Sequence, residues 1–129
     1  MAEHCDSADA RRRRGRAAED LAAAYLKSRG LELIARNVRC RAGELDLVCL
    51  EGALLVIVEV RQRTRRDFGG ALASVTGRKQ GKIIRTARYL LQSSPALRSR
   101  RMRFDVLGVD GEPGAASRII WITDAFRAT

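Results

Sequence analysis

The sequence predicts an α/β domain, a central sheet of about five strands flanked by helices in the order α-β-β-β-α-β-β. Two stretches with helical periodicity, residues 15–29 and 76–93, alternate with apolar, β-branched runs of strand length. The runs 45–48 and 54–60 are joined by Gly52-Ala53, a pair that suits a two-residue type II′ hairpin. Further strand patterns follow at 103–109 and 119–122. A chain of 129 residues suits one core, here residues 15–129, preceded by an arm over 1–14 that is expected to be disordered.

The balance of charge narrows the partner. Twenty-five Lys and Arg face fifteen acids, a net charge of +10, and 31% of residues are charged against the usual quarter. Such an excess favours a polyanion and says nothing about fold. Nucleic acid fits better than a membrane surface, because no long basic amphipathic helix with aromatic anchors is visible. The longest apolar run, 53–58, is far short of the roughly 18 residues a spanning helix needs, and the N-terminus lacks an apolar signal core. Cys5, Cys40 and Cys49 are an odd set without paired metal spacing, which reads as reduced thiols in the cytoplasm. Cys49 suits a small core residue, and the single His4, in the arm, argues against zinc.

Taken in order, the arm ends in Arg11–Arg14, a block that either touches phosphates or solvates a tail. In the first helix Ala18, Leu21, Ala22, Tyr25 and Leu26 mark one buried face, and Gly30 suits the stop. Glu19 lies at the edge of that face in the first turn, where the helix dipole alone would favour an acid. Residues 31–38 form the first strand, and with the hairpin they make an antiparallel meander. Arg61, Arg63, Arg65 and Arg66 then open a basic loop that ends in Phe68-Gly69-Gly70, with Phe68 read as its anchor to the core. Thr76 is the expected N-cap of the second helix, whose stripe is Ile83, Ile84, Ala87, Leu90 and Leu91. Its first turn carries Arg78 and Lys79, with Lys82 following, against the dipole preference and in keeping with a bound anion. Arg98, Arg100, Arg101 and Arg103 form another basic cluster before the fourth strand. Asp124-Ala125-Phe126 is expected to pack the tail back after a short fifth strand.

Two acids interrupt the hairpin strands. Asp46 sits within Leu45-Asp46-Leu47-Val48, and Glu59 follows the run Leu54–Val58. A carboxylate in such a strand is unfavourable unless it is paired, hydrogen-bonded or bound to a metal. If Gly52-Ala53 is the loop, Glu51 pairs with Leu54, Asp46 faces Glu59 and Arg61 faces Glu44. Directly opposed like charges at roughly 5 Å repel, so a proton or a cation between them is expected. Mg²⁺ takes one or two carboxylates and fills its shell with water and phosphate oxygens.

The acids stand as Asp46, then Glu59-Val60-Arg61 thirteen residues on. This resembles the PD-(D/E)xK nuclease superfamily, in which an Asp on one strand is followed by acid-x-Lys on the next. A closer resemblance is to the YraN-like family of uncharacterised proteins, related in fold to archaeal Holliday junction resolvases. The matching stretches include GRAAEDLAAAYLKSRG, RNVRCRAGELDLV, VIVEVRQR, FGGALASVTGRKQGKI and RFDVLGV. The resemblance implies a restriction-endonuclease-like fold with a mixed sheet. It also implies a divalent ion, Mg²⁺ or Mn²⁺, held by Asp46, Glu59 and the Val60 carbonyl, with Glu19 helping through water. Arg63, Arg65, Arg66, Arg78, Lys79 and Lys82 would meet the nucleic acid, and the resolvases suggest a homodimer. The chain departs from the pattern at Arg61, where Lys is usual. Arg stays protonated, so it stabilises charge but is a poor base.

Two functions follow. One is a metal-dependent endonuclease that hydrolyses DNA phosphodiesters, branched DNA included. The other is a DNA-binding module of the same fold that has lost turnover, as Arg61 would favour. A third, an interaction scaffold whose acids are satisfied by arginines, fits the basic excess less well.

Overall fold

The computed structural model describes residues 10–63, 70–111 and 118–128. Its frame is a single five-stranded mixed sheet in the order β1-β2-β3-β4-β5, with helices on both faces. The strands are β1 (Glu32–Cys40), β2 (Gly43–Glu51), β3 (Leu54–Arg63), β4 (Met102–Asp110) and β5 (Arg118–Phe126). The helices are α1 (Ala10–Ser28), the single-turn α2 (Gly70–Ala73) and α3 (Gly77–Ser93). All neighbours are antiparallel except β3 and β4, which run parallel because the chain crosses over through α2 and α3 between them.

The central strands are buried on both faces, so their sequences read as continuous apolar runs rather than alternation. Leu47, Cys49, Val56, Val58, Leu107 and Val109 pack beneath Ala18, Ala22, Ala23 and Leu26 of α1. On the other face Leu45, Val48, Leu55, Ile57 and Val106 pack against Ile83 and Ala87 of α3. Cys49 belongs to the first layer, where burial, and then the charge of Asp105, push its thiol up to about 11. It is an inert core residue. Among the described residues no helix is long and apolar enough to cross a membrane.

The hairpin forms as its turn chemistry requires. Gly52 takes φ +61°, and Glu51 pairs with Leu54. Thr76 caps α3, its hydroxyl accepting from Lys79 N at 3.3 Å. Phe126 extends β5 and stacks on Phe104 at 5.3 Å, so the expected tail is part of the sheet.

The elements differ from the sequence reading in three further places. The first helix starts at Ala10 rather than Gly15, because Ala and Arg are strong helix formers even as a charge block. Residues 1–9 of the expected disordered arm lie outside the described residues, and residues 10–14 are helical. β3 runs on to Arg63 because the parallel ladder with β4 continues to the pair Arg63 and Asp110. A turn of helix, α2, forms where only a loop is expected, packed so tightly that a Cβ on Gly108 would stand 2.6 Å from Ala71 Cβ. Arg65, Arg66 and Phe68 lie outside the described residues, as does the Arg63 side chain.

Candidate active site

The two hairpin strands part company where the acids stand. Their ladder runs from Glu51 and Leu54 to Leu47 and Val58 and stops one pair short of Asp46 and Glu59. Beyond that point β3 pairs with β4, and β2 pairs with β1. The side-chain alternation of β2 also slips here. Leu45 packs in the α3 layer and Leu47 in the α1 layer, although residues two apart on a regular strand share a face. Beside this point on β1, between Arg36 and Val38, Asn37 adopts a left-handed φ of 52°.

The divergence replaces a ladder bond with a side chain. Val60 N donates to Asp46 Oδ2 at 2.8 Å. The Asp46 and Glu59 carboxyls are hydrogen-bonded to each other. Strict opposition across a ladder is therefore absent, but the two acids share one end of neighbouring strands and touch. The expected facing of Arg61 and Glu44 is also absent. Glu44 pairs with Arg39 on β1, their side chains 3.6 Å apart, because β2 has left β3 by then.

Arg61 points at Glu59 instead. Its Nη1 donates to Glu59 Oε2 at 3.3 Å, and its Nε donates to Ser74 Oγ at 2.9 Å. Ser74 Oγ in turn donates to the Ala71 carbonyl at 2.6 Å. The turn after α2 thus aims the guanidinium. Glu59 and Arg61 are 14% and 19% exposed at their side chains, so this pair feels little of the screening that weakens surface ion pairs.

These groups line a cleft of about 420 Å³. Glu19 enters it from α1, Asp46 from β2, Glu59, Val60 and Arg61 from β3, and Lys79 and Lys82 from α3. The basic start of α3 therefore faces acids, and Lys79 lowers the pKa of Glu59. Arg78 is exposed at the helix start and is not part of the cleft wall. Glu19 lies 3.7 Å from Arg36 Nη2, and Asn37 donates to its carboxylate. Asn37 and Ser74 are positioning residues that the sequence reading misses. An Asn inside a strand pattern is the one local signal, since Asn is depleted in strands and tolerates the left-handed region.

Electrostatics set this cleft apart from the other acids. Burial, then the charge of Glu59, raises the pKa of Asp46, against the Val60 N–H that lowers it. Burial raises Glu59 as well, with Arg61 opposing. Burial, then Asp46, raises Glu19. Burial and the neighbouring charge favour a protonated form of the Asp46–Glu59 pair, the tendency of a carboxyl dyad. By contrast Asp105, at 0% exposure, is fully matched. It accepts from Arg103 Nε and Nη2 at 2.9 and 2.8 Å, from Trp121 Nε1 at 3.0 Å and from Asp124 N at 2.9 Å. One core acid is saturated with donors, while the pair at the cleft is short of positive charge.

That shortage suits a hard divalent cation. Among the described residues no cluster of three His, Cys, Asp or Glu side chains converges on one point. Two touching carboxylates fit Mg²⁺ or Mn²⁺, which accept one or two carboxylates and complete their shell with water and phosphate.

Protonation of the pair has a consequence for stability. Folding raises Asp46 from 3.8 to about 8, so the folded chain holds a proton that the unfolded chain releases. The resulting stability is fully present below about pH 4 and is lost as the pH rises through 8. Asp46→Asn keeps the donor and removes the titration. In EDTA the variant should match wild type near pH 4 and exceed its melting temperature at pH 8 by more than about 5 °C. Parallel curves across that range would show that the pair does not hold the proton.

The sequence family agrees with this frame. Residues 18–109 match the model of "Uncharacterised protein family UPF0102". A UPF0102 protein of Pseudomonas fluorescens is 47% identical over 112 residues, 87% of this chain and 91% of that protein. One of Pseudomonas syringae pv. syringae is 46% identical over 116 residues, 90% of this chain and 94% of its own. One of Nitrosococcus oceani is 44% identical over 116 residues, covering 90% and 93%. The match spans α1 to β4, the elements that build the cleft, and the chain is a member of the UPF0102 family.

Proposed function

We propose that the chain is a nucleic-acid-binding, metal-dependent endonuclease that hydrolyses DNA phosphodiesters at the Asp46–Glu59 cleft. The observation that carries this reading is the placement of the part-buried acids Asp46 and Glu59 together in a cleft walled by Arg61, Lys79 and Lys82. Acids alone would repel a phosphodiester, and cations alone would bind it without chemistry. Together they suit a phosphate that arrives with a cation. Such a cation, held by Asp46 and Glu59, would supply charge neutralisation for the phosphate and a lowered pKa for water.

The chain's own residues divide the remaining work. Asp46 and Glu59 hold the cation, with Asp46 kept in place by Val60 N. The Val60 carbonyl is the third protein ligand that the resemblance implies. Arg61, fixed by Ser74, meets the charge that builds on the phosphate oxygens. Lys79 and Lys82, on one face of α3, draw the DNA backbone to the cleft. Glu19 lies close enough to feel the charge of Asp46, and the resemblance implies that it helps through water. Arg61 also supports the second reading, a binding module without turnover. A guanidinium does not become a base, and Ser74 and Glu59 already hold two of its donors.

A cleavage assay on linear and branched DNA with Mg²⁺ or Mn²⁺ tests both readings through residue 61. Wild type should cleave, Arg61→Lys should cleave at least as fast, and Arg61→Ala should be slower than wild type by about 100-fold. Lys loses the Ser74 bond but supplies a compact donor whose pKa falls on desolvation. Activity only in Arg61→Lys would favour the binding module. Equal activity in all three would remove residue 61 from the mechanism.

A further inference from the structure

A second cleft, of about 1160 Å³, opens at the other end of the sheet. Leu54, the first residue of β3, lines it, whereas Glu59 further along the same strand lines the acid cleft. Five residues of strand separate the two positions, about 16 Å at 3.3 Å per residue. Arg100, Arg101, Arg103 and Arg127 line the second cleft, with Glu51 and Asp124.

These charges differ in what they leave free. Arg103 is neutralised by Asp105 at 2.8 Å and Glu51 at 2.7 Å. Arg127 pairs with Asp124 at 2.6 Å. Arg100 is held by a carbonyl instead, its Nη1 donating to the Ala53 oxygen at 3.0 Å, and so keeps its full charge. Arg101 is exposed and makes no ion pair with an acid among the described residues. Its backbone is anchored, because Leu55 N donates to the Arg101 carbonyl at 2.9 Å. Two uncompensated guanidinium groups are thus presented from a rigid junction of the hairpin with β4. Guanidinium forks match phosphate oxygens.

We propose that this second cleft binds a further phosphodiester segment of the same nucleic acid, so that the protein grips its substrate at both ends of β3. The inference rests on the nucleic-acid reading above and adds the substrate class, a nucleic acid long or branched enough to reach both clefts. A separation of about 16 Å equals the rise of roughly five nucleotides at 3.4 Å each. One duplex, or two arms of a branch, covers both. Arg100 and Arg101 contact backbone only, so they add affinity and register without sequence preference.

The test is fluorescence anisotropy on a labelled duplex of about 20 base pairs in EDTA, over roughly 50–300 mM salt. Arg101→Gln should reduce the slope of log K against log salt by about 0.9, and Arg100→Gln with Arg101→Gln by about 1.8. Arg101→Glu should weaken binding further at every salt concentration. Because Arg100 braces the hairpin, the exposed Arg101→Glu decides the matter if the double variant fails to fold. Unchanged affinity and slope in Arg101→Glu, beside a loss in Lys79→Gln with Lys82→Gln, would overturn this proposal and leave the acid-cleft reading standing. A wild-type slope of zero would overturn both. Poly-glutamate that competes as well as duplex at equal charge would overturn it in favour of an acidic polypeptide.

Discussion

Asp46→Ala should abolish the response to divalent cations expected of the proposed site. Wild type in saturating Mg²⁺ or Mn²⁺ should melt well above its temperature in EDTA, since an ion that binds only the native state stabilises it. At about 100 times Kd the gain is about 2.7 kcal/mol, roughly 10 °C for a domain of this size. Alanine at 46 removes one of two touching carboxylates and with it the repulsion that draws the cation in. It also leaves Val60 N without its 2.8 Å acceptor, so the EDTA melting temperature shifts too. The diagnostic is therefore the difference between metal and EDTA, not either value alone. Metal-dependent cleavage should fall by well over about 100-fold, since even outer-shell partners of a metal are worth 10–100-fold. A full metal shift in the alanine variant would place the cation elsewhere.

The largest loss of stability should come from Asp105→Ala, which lies outside the lining of the acid cleft. The substitution leaves Arg103, which is 19% exposed at its side chain, with Glu51 as its remaining acid partner, and it takes the acceptor from Trp121 Nε1 and Asp124 N. Breaking one side of a buried pair costs about 3–5 kcal/mol, because the remaining charge stays desolvated. The melting temperature should fall by roughly 10–20 °C in thermal unfolding followed by circular dichroism. Asp105→Ala with Arg103→Met should recover much of that loss, since no charge is then left behind. A single variant that melts within a few degrees of wild type would mean that the network contributes little.

Asp46 and Asp105 together show what a strand pattern conveys and what it omits. Both are acids inside apolar runs, and both require an explanation for their burial. For Asp105 it lies two residues upstream, because Arg103 shares its face of β4. Trp121 and Asp124 complete the network only because β5 lies beside β4. For Asp46 the hairpin turn correctly sets Glu51 against Leu54, and counting outward brings Glu59 close. Counting fails at the last step, since nothing local records that β2 leaves β3 after Val58 while β3 keeps its pairing with β4.

Local chemistry determined the elements of this protein. Gly52 set the hairpin, Thr76 started α3, apolar periodicity assigned the buried helix faces, and the net charge of +10 raised the expectation of a polyanion. These signals are short-ranged or compositional, and a linear sequence carries them in full. Tertiary structure decided which of the charges are free. It turned Lys79 and Lys82 into the cleft and left Arg78 outside it. It fastened Arg61 to Ser74, neutralised Arg103 and left Arg101 without an acid partner among the described residues. The physical reason is that burial and pairing depend on neighbours distant in sequence. Position in the chain alone cannot tell a structural carboxylate from one left short of positive charge.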